Sequence, residues 1–366
     1  MSKIFYVLGD ISAKGGTERV TINLVKTLSL SGVDTSILSL EKTGKPFFDI
    51  DESKVIYLNE NSSHTFYGKK INIIKRATLD ALYLFKSLLK LRRLIKKEHP
   101  DFMVSTDTKM ALLLLMSSIG TKTKVLAMEH FDFNTPSKIV QKIRAFCYKY
   151  IYGIVILTEE DKNMYLPLNK NVYVIPNIVS FDIKENANIY SKRIIAVGRL
   201  VNQKGFDYLI DAWKKIEHKC TDWHLDIFGE GELELELQQQ IKKNRLTNIK
   251  IKPFSNNIQE EYLRSSFYVM SSRYEGLPTV LIEALSCGLP CISFACPTGP
   301  KTIIDNNVNG ILVEHLNVNE LADSILYLIE NESEIKRLSK NTKLSTNKFK
   351  PNVVIDKWMQ VFNNVK

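Results

Sequence analysis

At 366 residues the chain exceeds the size at which one hydrophobic core usually stops growing, so two domains are expected. Its hydrophobic content of 44% suffices for packed interiors. The most apolar stretch, "MALLLLMSSIG", is too short to cross a bilayer, and the five cysteines (Cys147, Cys220, Cys287, Cys291, Cys296) form no CxxC pair and no zinc spacing. The net charge of +10 sits in the first half: residues 1–180 hold 26 Lys+Arg against 17 Asp+Glu, and residues 181–366 hold 24 against 23. Nucleic acid and an anionic membrane surface are the partners such a charge suggests for that half.

"KIFYVLGD" opens the chain as a short apolar strand rather than a basic-plus-apolar leader, so a cytoplasmic protein is expected. "GGTERV" and "TINLVKTLSLSG" follow with helical spacing and a closing glycine, and then "DTSILSLE" is a strand again. "FDIDES" places Asp49 and Asp51 in a DxD pattern, by which some enzymes hold a divalent metal. It lies in a polar segment beside Lys42 and Lys45, and such triples arise by chance in a chain this long.

Residues 84–100, "LFKSLLKLRRLIKKEHP", read as a helix. Leu84, Leu88, Leu91 and Ile95 recur at helical spacing, while Lys86, Lys90, Arg93 and Lys97 occupy much of the remaining circumference. With "KKINIIKR" just upstream, this helix is expected to rest on an anionic membrane, making the protein peripheral on the inner face of the cell membrane; a core-packed helix with a solvated basic side is the plainer alternative. "DFMVSTD", "KVLAME", "YGIVILTE" and "NVYVIPN" then alternate with helical stretches. Continuous apolar strands separated by helices imply a parallel sheet covered on both faces.

The second half repeats the plan after a polar, patternless segment, 181–191, that reads as a linker. Its strands are "RIIAVGRL", "WHLDIFGEGE", "IKIKPF", "FYVMSS", "PCISF" and "GILV". In open parallel sheets ligands bind at the carboxyl ends of strands, near helix N-termini. "VGRLVNQKG" puts Arg199 and Lys204 in such a loop, and "SSRYEGLPTVLIEALSCGLP" puts Glu275 in a second loop, Pro278 in the first turn of a helix and Glu283 more than a turn into it. The amides of Leu277, Thr279 and Val280 would face a phosphate. Carboxylates beside an anion site suit hydroxyls, and a sugar nucleotide offers both. "GEGELE", from Gly229, follows a strand as a dinucleotide-binding loop would, but lacks the third glycine and the later acid. No Walker A pattern occurs either, which argues against dehydrogenase and NTPase chemistry.

"GRLVNQKGFDYLIDAW", "FGEGE", "SSRYEGLPTVLIEALSCGLPCIS" and "GPKTIIDNNVNGILV" resemble the C-terminal half of family 4 retaining glycosyltransferases, of the type that builds bacterial capsule, lipopolysaccharide or exopolysaccharide; "EGLPTVLIE" matches their E-x7-E motif. The likeness is strong over residues 194–312 and weaker over 1–177, where "GGTERV" and "VIPN" carry it. The resemblance implies an α/β protein of GT-B fold, two doubly wound Rossmann-like domains facing across a cleft. An acceptor-binding domain would span 1–180, a nucleotide-sugar-binding domain 192–345, and a C-terminal helix within 346–366 would pack back towards the first domain.

It implies further that Arg199 and Lys204 neutralise a diphosphate leaving group, Glu275 contacts the donor hexose, Glu283 binds ribose hydroxyls, and Leu277, Thr279 and Val280 hold phosphate. Gly15 and Gly16 would admit the diphosphate, His130 would contact the transferred sugar, and Arg19 would meet the acceptor. The expected reaction is metal-independent retaining transfer of a hexose or N-acetylhexosamine from a UDP-linked donor to a glycan or lipid-linked acceptor. The leaving phosphate would take the acceptor's proton. No cofactor and no nucleic-acid partner are expected. Another GT-B enzyme, such as a sugar-nucleotide epimerase, and a basic nucleic-acid-binding protein are the alternatives.

Overall fold

The structure is a computed structural model that describes residues 2–59, 73–179 and 185–363, the side chains of 73–81 excepted. The first half of "KKINIIKR", the first residues of the 181–191 segment and the last three of the chain lie outside the described residues. The chain divides into two compact units, Met1–Ile178 with Val354–Lys366, and Val179–Val353.

The first unit runs β1 (Lys3–Asp10), α1 (Gly16–Leu30), β2 (Asp34–Glu41), β3 (Val55–Asn59), α2 (Ile73–Glu98), β4 (Phe102–Ser105), α3 (Thr108–Ser118), β5 (Lys124–Met128), α4 (Lys138–Cys147), β6 (Gly153–Ile156), α5 (Lys162–Tyr165) and β7 (Val172–Val174). Its seven strands form one sheet in the order β3-β2-β1-β4-β5-β6-β7, and every pairing is parallel. Residues 4–8, 102–104 and 125–128 of the central strands are apolar and buried because helices cover both faces. Phe5 and Val7 of β1 enter a core shared with Leu91 and Ile95 of α2, Met110, Ala111 and Leu114 of α3, and Cys147 of α4. These three helices therefore lie on one face of the sheet. Tyr6 points to the other face and meets Trp358 edge-on, with ring centroids 5.7 Å apart. Trp358 stacks in turn on Phe362, and Phe362 packs on Phe102. Those two aromatics belong to α13 (Pro351–Asn363), which joins the first unit from Val354 onward. Burying each such ring contributes about 2–3 kcal/mol.

The second unit runs β8 (Arg193–Val197), α6 (Phe206–Ile216), β9 (His224–Phe228), α7 (Glu234–Lys243), β10 (Ile249–Lys252), α8 (Ile258–Leu263), β11 (Phe267–Met270), α9 (Thr279–Ser286), β12 (Cys291–Phe294), α10 (Pro300–Ile303), β13 (Gly310–Val313), α11 (Val318–Glu330) and α12 (Glu332–Ser345). Six parallel strands lie in the order β10-β9-β8-β11-β12-β13. The strand order reverses at β8, and the loops leaving β8 and β11 are neighbours at the carboxyl edge, where a parallel sheet offers its ligand crevice. Residues 185–191, expected as linker, are tied down instead. The Ala187 amide donates to Cys287 O at 2.8 Å and the Asn188 amide to Leu263 O at 2.8 Å, while Ile189 packs against the second core. All five cysteines are buried free thiols, and burial pushes the Cys287 and Cys296 thiols up to about 12, which keeps them protonated.

Candidate functional site

In the second unit, the loop from Gly198 to Gly205 leaves β8 through a 3-10 turn at Asn202–Lys204, and Gly205 takes φ +61° to enter α6. A side chain could not follow: a Cβ on Gly205 would stand 2.1 Å from Ser271 O. That contact fixes the β8 loop against the β11 loop and carries Lys204 to Glu275. Lys204 Nζ donates to Glu275 Oε1 at 2.6 Å, and Ser272 Oγ donates to the same oxygen at 2.7 Å. Thr298 Oγ1 holds the Glu275 carbonyl at 2.7 Å. Glu275 is only 7% exposed, so it is not a solvated loop acid. A carboxylate is costly to bury unless it is paired and hydrogen-bonded, and this one is both.

Glu283 is also buried, at 6% exposed, and Tyr262 Oη donates to its Oε2 at 3.3 Å. It sits on α9, which begins at Thr279. Pro278, expected in the first turn, is instead the residue before it, with φ −70°. As the N-cap residue, Pro278 has no side-chain group to cap α9. The first turn of α9 therefore presents backbone donors and the positive end of the helix dipole at the level of Glu275 in the chain. Leu277 is buried, Thr279 and Val280 are half-buried, and Arg199 is exposed at the head of the β8 loop.

Sequence reasoning missed Arg273. Its Nη1 and Nη2 grip the Asp207 carboxylate at 2.9 and 2.6 Å, Nη1 also donates to Asn202 O at 2.6 Å, and the guanidinium lies 4.3 Å over the Tyr208 ring. The Arg273 amide donates to Gln203 O at 2.8 Å, and Gln203 Nε2 donates to Tyr274 O at 3.1 Å. Arg273 thus clamps the loop that bears Lys204 to the loop that bears Glu275. The glycines of "GEGE" serve the same packing rather than a dinucleotide. A Cβ on Gly229 would lie 1.9 Å from Gly198 O and one on Gly231 2.4 Å from Leu200 O, because this loop lies directly on the β8 loop.

In the first unit, Gly15 precedes α1 and Gly16 begins it. A Cβ on Gly16 would meet nothing within 4 Å, and one on Gly15 would meet only the movable Glu18 carboxylate, at 2.0 Å. The start of α1 is therefore open to an approaching group. Arg19 is half-buried on the first turn of that helix. His130 follows β5, is 9% exposed, and has an Nε2 buried without a hydrogen-bond partner among the described residues. Burial lowers its pKa to about 4, so the ring is neutral near pH 7 and can exchange a hydrogen bond but not serve as an acid. Its neighbour Glu129, another residue the sequence did not nominate, is buried and accepts from Tyr148 Oη, and burial raises its carboxyl pKa. The DxD pair is otherwise engaged: Asp49 pairs with Lys26 at 2.7 Å and is almost wholly exposed, while Asp51 caps the turn at Glu52–Lys54 by accepting from the Ser53 amide at 3.0 Å.

The helix expected at a membrane is α2, and its named apolar stripe is largely spent on the core. Leu91 and Ile95 are buried, Leu88 packs against the same cluster, and only Leu84 is exposed. Among the described side chains of α2, the large apolar ones left in water are Leu82, Leu84, Phe85 and Leu89. The plainer alternative holds for the stripe that includes Leu91 and Ile95, because the sheet beneath α2 needs covering.

For a chain built from these two α/β units and this pair of loops, comparison with known proteins defines the class. Residues 180–345 match the family described as Glycosyl transferases group 1, and residues 14–182 match Glycosyltransferase Family 4. The chain is 33% identical to the amylovoran biosynthesis glycosyltransferase AmsD of Erwinia amylovora, over 99% of this chain and 100% of that one. The chain belongs to the family 4 glycosyltransferases and is a transferase enzyme of GT-B fold. It is also 25% identical, over 100% of its length and 99% of the relative's, to a Campylobacter jejuni alpha-1,4-N-acetyl-D-galactosaminyltransferase whose name specifies a PP-undecaprenol-linked substrate. The crystal structure of TarM from S. aureus with UDP and alpha-GlcNAc-glycerol superposes with a TM-score of 0.80 at 17% identity, covering 99% of this chain and 100% of that one.

Proposed function

We propose that the enzyme transfers a hexose or N-acetylhexosamine, with retention at the anomeric carbon, from a UDP-linked donor to a lipid-linked or polysaccharide acceptor during the building of a bacterial surface glycan. The observation that carries this reading is the buried Lys204–Glu275 pair beside α9, the helix that bears the second buried carboxylate, Glu283. The names of the Erwinia and Campylobacter relatives support the glycan and lipid-linked acceptor, and the UDP in the TarM structure supports the donor.

Two carboxylates, two cations and an uncapped helix start suit a ligand that is anionic at one end and hydroxylated at the other. On donor binding, Lys204 exchanges Glu275 for the diphosphate, and Glu275, still held by Ser272, accepts from hexose hydroxyls. Glu283 accepts from the ribose, and Arg199, the Leu277 loop and the first amides of α9 at Thr279 and Val280 meet phosphate. From the first unit, the unsatisfied Nε2 of His130 is assigned to a sugar hydroxyl, Gly15 and Gly16 to the diphosphate, and Arg19 to the acceptor. The bond from anomeric carbon to diphosphate oxygen breaks as the bond to the acceptor oxygen forms, and the acceptor's proton passes to the leaving diphosphate. Arg199, Lys204 and the helix terminus stabilise the charge that builds there, the role a metal fills elsewhere.

The experiment is donor turnover with a panel of UDP- and GDP-sugars in excess EDTA. Glu283→Ala and Lys204→Ala should each lower turnover at least about a hundredfold, which corresponds to about 2.7 kcal/mol, without changing the fold. Near-normal turnover in either variant removes that residue from the site. Complete, magnesium-reversible inhibition by EDTA overturns the metal-independent mechanism.

A further inference from the structure

The outward sides of α2, α3 and α4 carry a pattern that core packing does not require. All three helices give their inward sides to one core, so their opposite sides form one outer layer. On α2 that side holds Leu82, Phe85 and Leu89, 50%, 59% and 39% exposed, followed by exposed Arg93 and Lys96. On α3, Lys109, Met116 and Ile119 follow at helical spacing, the last 63% exposed. On α4 and just beyond it, Ile139, Lys142, Phe146 and Tyr150 make the stripe, with Ile139 73%, Phe146 62% and Tyr150 64% exposed. Phe146 and Tyr150 pack together, ring centroids 5.4 Å apart.

No carboxylate lies at positions 82–97, 108–118 or 133–158. Of the acids that border the layer, Glu98 accepts from Lys3 at 2.7 Å, Asp107 caps α3 by accepting from the Met110 amide at 2.8 Å, and Asp132 accepts from the Asn134 amide at 2.8 Å; the side chain of Asp80, earlier on α2, lies outside the described residues. The α/β layer of the second unit has no such bias, since α6 carries Asp207 and Asp211 and α7 carries Glu234 and Glu236.

We propose that this three-helix face docks on an anionic phospholipid bilayer, with Ile139, Phe146 and Tyr150 of the α4 stripe entering the headgroup boundary while the exposed Arg93 and Lys96 of α2 and Lys142 of α4 lie at the level of the lipid phosphates. Exposed aliphatic and aromatic side chains interleaved with cations and free of acids are the composition of an interfacial helix. Attraction to phosphate alone would leave large apolar side chains in water to no purpose. The assignment differs from the stripe expected on α2, whose Leu91 and Ile95 are core residues. It rests on the lipid-linked acceptor reading for its purpose and on geometry for its place.

Vesicles that contain no acceptor separate the two. The full chain is sedimented with phosphatidylcholine vesicles and with vesicles that also hold phosphatidylglycerol, with single-stranded DNA as competitor, and transfer to a soluble acceptor analogue is measured in parallel. Wild type should bind only the anionic vesicles. Ile139→Ser, Phe146→Ser and Tyr150→Ser combined should weaken binding at least about tenfold, and Arg93→Glu, Lys96→Glu and Lys142→Glu combined should abolish it at low salt. Both variants should melt and transfer to the soluble acceptor as wild type does. Failure of the wild type to sediment, equal binding by the serine variant, or displacement by single-stranded DNA at comparable concentration would each overturn the proposal.

Discussion

The two units use glycine in opposite ways at the carboxyl ends of their strands. In the second, Gly205, Gly229 and Gly299 lie so close to a neighbouring backbone that an added Cβ would stand about 2 Å from a carbonyl oxygen: 2.1 Å for Gly205, 1.9 Å for Gly229 and 2.1 Å for Gly299. In the first, Gly16 opens onto empty space. The second unit has locked its loops together before any ligand arrives, with Arg273 as the clamp and the Lys204–Glu275 pair inside it. The first unit leaves the head of α1 uncovered. Preorganised charge suits the half that must stabilise a leaving group.

The largest effect that would break this contrast is steric. Gly229→Ala drives a methyl into the Gly198 carbonyl, and since both partners are backbone, neither can turn aside. We expect a loss of about 3 kcal/mol, measured by urea unfolding, together with loss of turnover. A variant as stable and active as wild type would mean that the loops adjust and are not locked.

His130 sharpens the comparison, because it is the tight point of the otherwise open unit. Its folded pKa of about 4 lies below the ordinary histidine value of about 6.5, so burial favours the neutral ring. The corresponding stability is complete above pH 6.5 and is lost as pH falls through 6.5 towards 4, because the unfolded chain takes the proton first. Between pH 6.5 and 5 the loss should reach about 2 kcal/mol, and His130→Gln should remove that part of the pH dependence. Parallel stability-versus-pH curves for the two proteins would show that the ring is not held neutral.

Next in size is Arg273→Ala. Both partners of its Asp207 pair are partly exposed, so stability should fall by only about 1 kcal/mol. The consequence should be catalytic: once the clamp is gone, the Lys204 and Glu275 loops are no longer held in register, and kcat should fall about tenfold with less change in KM. Arg273→Lys should restore little, since an ammonium cannot reproduce the bidentate grip. An unchanged kcat in Arg273→Ala would show that the Gly205 contact alone suffices.

The same contrast explains what the sequence revealed. "SSRYEGLPTVLIEA" was legible because a strand, a tight loop and a helix start must follow one another within a few residues, and two acids there have little reason to be buried except for a ligand. The pairing of Arg273 with Asp207, separated by 66 positions, left no local trace. "GEGE" was set aside as a dinucleotide loop for want of a third glycine and a later acid, but only the fold shows what its glycines are for: each lies against a peptide carbonyl of the β8 loop. On α2 the period was read correctly. Which side faced the sheet depended on the strands beneath, and the leucines at 91 and 94 are both compatible with the pattern. His130 was nominated only through the resemblance, since a lone histidine carries no local signal and the fold alone shows its Nε2 buried with no hydrogen-bond partner among the described residues.

The smallest effect falls on the open side, at Gly16. Its φ is not in the left-handed region, its position is the first of α1, and a Cβ there meets nothing within 4 Å. Alanine is the better helix former, so Gly16→Ala should leave stability unchanged or raise it by about 0.5 kcal/mol. If the donor's diphosphate comes up to the head of α1, the methyl occupies the space it needs, and the donor KM should rise severalfold while the melting temperature holds. Donor binding then weakens while stability does not, which a merely structural glycine would not produce. If KM and melting temperature both stay at the wild-type value, the head of α1 is ordinary surface, and the diphosphate is held by the second unit alone.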